Sequence, residues 1–130
     1  MHISVTTITW TFYGIFLVLA ALGFISEYLP IEKAFLGTNM VLNLTHLITA
    51  IGFAAASKKG VNISIQYIRI IGTVYMLISL IGFMGTTIIL DDQWADVIYL
   101  NLLNYLQFGL GVILSVFGTV LKKHQPPKGA

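Results

Sequence analysis

Few side chains in this sequence are equipped for chemistry, and most of those are amides. Asn39, Asn43 and His46 recur at spacings of four and three, and Ala50 continues the row four residues on. Asn101, Asn104 and Gln107 form a second row at similar spacing, with Gly111 in the place of Ala50. In an α-helix these spacings put each row on one face. An imidazole among amides can donate, accept or carry a proton. The two rows are therefore a candidate site for a small polar or amphipathic ligand. The plainer expectation is interhelical glue, each bond worth about 0.6–2 kcal/mol where hydrocarbon offers no other partner.

Other chemistries find little support. His46 is the only histidine inside an apolar stretch, since His2 and His124 lie near the chain ends. A bis-histidine haem lacks its second axial ligand, and a lone histidine among amides is a poor metal site. The chain has no cysteine, which removes disulfides and thiolate metal sites. No apolar stretch holds a central carboxylate or lysine of the kind a proton-coupled exporter uses as its carrier. Serine, histidine and acid do not converge, and no glycine-rich phosphate loop occurs. No metal, cofactor or catalytic residue is expected, and a non-enzymatic protein is.

The elements that must position the two rows follow from composition. Of the 130 residues, 57% are hydrophobic and 9% charged, against about 25% charged in a soluble domain. So apolar a chain cannot cover a water-facing surface, and lipid must take that place. A bilayer core of about 30 Å needs roughly 20 apolar residues. Such stretches run near Ile8–Ile25, Thr38–Ser57, Tyr67–Leu90 and Ala95–Leu121. The expected fold is an all-α integral membrane protein with four transmembrane helices over residues 1–123. Residues 124–130 are expected as a disordered tail, because Pro126 and Pro127 cannot continue a helix. Residues 2–9 hold no Lys or Arg, so the first apolar run reads as a retained helix rather than a secretory signal.

The connections are short and polar: Glu27 to Lys33, Lys58 to Ser64, and a third centred on Asp91, Asp92 and Gln93. Short connections make successive helices antiparallel. Lys58, Lys59, Arg69, Lys122, Lys123 and Lys128 then share one side, and Lys33 with all five acids takes the other. The positive-inside rule puts both termini in the cytoplasm. Trp10, Tyr28, Trp94 and Tyr99 fall near the expected interfaces, where amphipathic rings are favoured.

The two halves also echo each other. Gly23-Phe24 in the first stretch matches Gly82-Phe83 in the third, the Asn43/His46 pair matches Asn104/Gln107, and Lys58-Lys59 matches Lys122-Lys123. Two helical hairpins repeated in one orientation would be related by an axis along the membrane normal. Small residues lie on three helices, with Ala54 and Ser57 on the second, Gly72 and Ser79 on the third, and Gly111 and Gly118 on the fourth. Such faces let helices approach closely.

The order Gly23-Phe24, Asn43-Leu-Thr-His46, Gly72-Thr-Val-Tyr75, then an acidic connection and an Asn-bearing fourth helix, resembles bacterial four-helix membrane proteins catalogued as domain of unknown function 4383. The resemblance runs from about Tyr13 to Gly118. It implies a bacterial plasma (inner) membrane location and no established activity. That family also has a histidine in its fourth helix, and here Asn104 and Gln107 occupy the region, which weakens any paired-histidine chemistry. The leading expectation is an accessory or structural subunit in contact with lipids, with other membrane proteins or with itself, and not with nucleic acid. The alternative is a binder or carrier of a small ligand, lipid or quinone at the His46/Asn104 cluster. A channel would need a polar stripe through the full membrane depth, and this one fades at Ala54 and Gly111.

Overall fold

The computed structural model describes residues 4–28, 40–88 and 97–125. Its regular structure is helical: α1 (Val5–Tyr28), α2 (Met40–Lys59), α3 (Val61–Ile88) and α4 (Val97–Lys123). Three of these contain stretches long and apolar enough to cross a membrane, namely Val5–Ser26, Val61–Phe83 and Tyr105–Lys123. Asn39, the polar connections from Pro30 to Lys33 and from Asp91 to Asp96, and the tail from Pro126 onward lie outside the described residues. So do the side chains of Glu27, Tyr28, Tyr99, Asn101 and Asn104, although the helices include those positions.

The helix ends have local causes. α1 begins earlier than the apolar run suggests because Ser4 caps it. The Ser4 hydroxyl oxygen accepts from the Thr7 amide at 3.1 Å and also meets the Thr7 hydroxyl at 2.8 Å. At the other end of the chain, His124 and Gln125 extend α4 by a turn, their amides donating to Val120 and Lys122 carbonyls at 3.3 Å.

The middle connection differs most from expectation. Lys58 to Ser64 is not a polar loop, because only Gly60 separates α2 from α3. Gly60 has φ +120°, a conformation that side chains rarely adopt. Its amide donates to the Ala56 carbonyl at 3.3 Å, and its own carbonyl accepts from the Ser64 amide at 3.0 Å. The Ser64 hydroxyl donates to the Ala56 carbonyl at 3.1 Å, which ties the start of α3 to the last turn of α2. One glycine thus closes one helix and opens the next.

Antiparallel packing is visible in the side-chain pairs. Phe12 of α1 stacks on Phe53 of α2 at 5.8 Å, and Gly23 lies against Asn43. Tyr67 of α3 meets Phe53 edge-on at 4.8 Å. Between α3 and α4, Gly72 lies against Ser115 and Gly111, and Arg69 against Gly118. Lys58-Lys59 and Lys122-Lys123 therefore share one end of the bundle. The core joins Phe12, Phe16, Ala50, Phe53, Ile68, Tyr75 and Leu114.

The outside is apolar on every helix. Val18, Ile48, Ile51, Ile70, Ile81 and Val116 are each more than half exposed. Thr9, Thr49, Thr73 and Thr119 donate their hydroxyls to the carbonyl four residues back, at 2.7–3.1 Å. That satisfies a hydroxyl within its own helix, the arrangement a helix needs where no water is available.

Candidate functional site

α2 is turned inside out relative to a helix of a water-soluble protein. Its buried side carries Asn43, His46 and Thr49, while Leu44, Ile48 and Ile51 point outward. The row read from spacing is thus an interior row. Asn43 is fully buried, His46 is 2% exposed and Gln107 of α4 is 3% exposed. Ala50 and Gly111, which continue the two rows, are buried as well.

Gln107 and Gly111, the described members of the α4 row, are not packed against the row on α2. The described parts of α2 and α4 barely touch. The Gly60 turn lays α2 against α3, and the glycine contact between Gly72 and Gly111 draws α4 onto α3. The row on α2 accordingly faces α1 and α3. Asn43 fills the space over Gly23, where an added Cβ would collide with its carboxamide.

Three side chains outside the sequence-derived set complete the surroundings of His46. The Tyr75 ring lies parallel to the imidazole, at 8° between planes and 6.0 Å between centroids. The Phe16 ring stands 6.0 Å away at 49°. Thr49, one turn beyond His46, joins Tyr75 through a 3.0 Å contact between hydroxyls. Thr49 already gives its proton to the Thr45 carbonyl at 2.8 Å, so Tyr75 is the donor to Thr49. The Tyr67 hydroxyl donates to the Thr49 carbonyl at 3.0 Å. Two tyrosines of α3 thereby converge on one threonine of α2.

His46 takes no part in that network. Its Nδ1 and Nε2 are both buried and have no hydrogen-bond partner among the described residues. As interhelical glue it would have to bond across a helix interface. It instead lies against two aromatic rings that also touch each other, 5.1 Å between centroids, and its nitrogens meet no partner among the described residues.

A closer reading of the sequence could have found part of this shell. Thr49 sits at i+3 from His46 and continues the row, and Tyr75 lies in the Gly72-Thr-Val-Tyr75 segment. Phe16 carries no such signal, because nothing in an apolar run marks which ring meets an imidazole. Among the described residues no three His, Asp or Glu side chains come together as metal ligands. Compared with family models, curated proteins and solved structures, the chain matches none.

Proposed function

We propose that this chain is a non-enzymatic membrane protein that receives the polar head of a small amphipathic ligand, a lipid or quinone, at His46. The observation that carries the reading is the buried imidazole, whose two nitrogens have no hydrogen-bond partner among the described residues. A buried polar group left without a partner costs about 1–3 kcal/mol. A ligand carbonyl or hydroxyl would recover that cost, and the flanking Tyr75 and Phe16 rings suit a flat or apolar body.

The reading assigns α2 to the membrane as a fourth span, since its outward residues are apolar and its polar ones face inward. Both termini are then cytoplasmic, a placement favoured by the two lysine pairs at one end of the bundle. The Asn43 and Asn104 helices are second members of two repeated hairpins in this arrangement. The resemblance to domain of unknown function 4383 adds a bacterial inner-membrane location. The competing reading is an accessory subunit that packs its apolar faces on other membrane proteins.

Purification in a mild detergent, with mass spectrometry of bound small molecules and polypeptides, tests the proposal. The wild type is expected to carry a small amphipathic molecule that His46→Phe loses. The delipidated variant should melt close to the wild type, because removing two nitrogens that have no partner among the described residues offsets the crowding by the larger Phe ring. Equal occupancy in His46→Phe, or an empty wild type with a stoichiometric partner polypeptide, would refute the site and favour the accessory role.

A further inference from the structure

Arg69 stands apart from the His46 cluster. It lies inside the apolar stretch Val61–Phe83 of α3, and its side chain is exposed. A guanidinium keeps its charge at any relevant pH, and in hydrocarbon it is costly unless it reaches a polar partner. No ion pair to it occurs among the described residues, and in the sequence all five acids fall within residues 27–32 and 91–96.

Its position directs where a partner would come from. Arg69 lies nine positions beyond Gly60, about 13.5 Å along the helix at about 1.5 Å per residue. Side chains of a helix lean toward its N-terminus, so Arg69 leans back toward the lysine-bearing end of the bundle. Gly118 of α4 lies against its stem, and a Cβ there would overlap it. Lys122 is one turn further along α4. Gln66, Arg69, Ile70, Thr73 and Val74 line an open groove of about 430 Å3 along α3. The groove is graded: the amide and guanidinium sit toward the lysine end, and the β-branched apolar side chains sit deeper.

We propose that this groove holds one anionic phospholipid, with the Arg69 fork on the phosphate oxygens, Gln66 beside it, and Ile70 and Val74 along the start of an acyl chain. Charge complementarity selects the occupant. A planar guanidinium suits phosphate bidentately, and the basic end of the bundle favours a headgroup of net negative charge. Placement in the cytoplasmic leaflet rests on the orientation proposed above, whereas the binding itself needs only that α3 lie in a membrane.

Melting of the delipidated protein in detergent tests this, with added phosphatidylglycerol, phosphatidylcholine or inorganic phosphate. Phosphatidylglycerol should raise the wild-type Tm by several degrees, phosphatidylcholine much less, and inorganic phosphate not at all. Arg69→Gln should lose most of the rise, Arg69→Lys should keep only part of it, and Lys59→Gln, which removes one charge from the basic end but no side chain from the groove, should lose far less than Arg69→Gln. Arg69→Lys retains the charge and stem, so it reports on the fork even if Arg69→Gln does not fold. An undiminished rise in the Arg69 variants, an equal loss in Lys59→Gln, or an equal rise with phosphatidylcholine or inorganic phosphate would overturn the proposal. Loss of the ligand at His46 leaves all these outcomes unaffected.

Discussion

Replacing Gly111 by alanine should separate α3 from α4, and the size of the effect follows from the geometry of their contact. A Cβ on Gly111 would stand 2.8 Å from the Met76 amide nitrogen and 2.9 Å from the Gly72 carbonyl oxygen. A Cβ on Gly72 would stand 2.7 Å from the Ser115 amide nitrogen and 3.0 Å from the Gly111 carbonyl oxygen. These are backbone atoms of regular helices and cannot swing aside. Comfortable contact begins near 3.5 Å, so the helices must part by roughly 0.5–0.8 Å, and a gap of that size forfeits about a quarter or more of each dispersion well along the seam. Overpacking of this kind costs about 1–3 kcal/mol, and the better helix propensity of alanine returns up to about 1 kcal/mol. A net loss of about 1–2 kcal/mol is expected for Gly111→Ala and likewise for Gly72→Ala. Gly109, on the same helix, has nothing within 4 Å of its Cβ position, and neither has Gly14. Alanine there should be neutral or stabilising by up to about 1 kcal/mol. The assay is reversible unfolding in mixed micelles on the four single variants and on Gly72→Ala/Gly111→Ala. The double variant should cost less than the sum, because the first alanine already parts the helices. If Gly111→Ala proved as stable as Gly109→Ala, the close approach of α3 and α4 would be wrong.

Two further outcomes are expected. Gly60→Ala meets no neighbouring atom, yet its φ of +120° penalises any side chain, so it should lose about 1–2 kcal/mol in the same unfolding assay; stability equal to that of Gly14→Ala would exclude the one-residue turn. Single cysteines placed at Lys59 and Lys123 of this cysteine-free chain should resist impermeant thiol reagents in intact cells while one at Asp92 reacts, and labelling of Lys59→Cys from outside would reverse the orientation.

The sequence by itself determined that the chain is helical and bound for lipid. That information is carried by composition and by the length of apolar runs, both of which are local properties. Spacing within one helix also determined that Asn43, His46 and Ala50 share a face, and hydrocarbon leaves such a face only the interior. The number of residues in the middle connection was legible only in part. The lysines, asparagine and serine between Lys58 and Ser64 look like a loop, but helices run through all of them, and Gly60 alone needs a non-helical backbone. Tertiary structure decided which faces meet. The two polar rows look alike in sequence, yet the turn at Gly60 packs α2 on α3 and the glycine contact between Gly72 and Gly111 packs α4 on α3, so the described parts of α2 and α4 barely touch. The partners of His46 came from that choice: Phe16 and Tyr75 are distant in sequence and unremarkable among other aromatics. Whether an imidazole finds a hydrogen bond depends on the few side chains that reach it across helix interfaces, and periodicity along one helix holds no information about those distances.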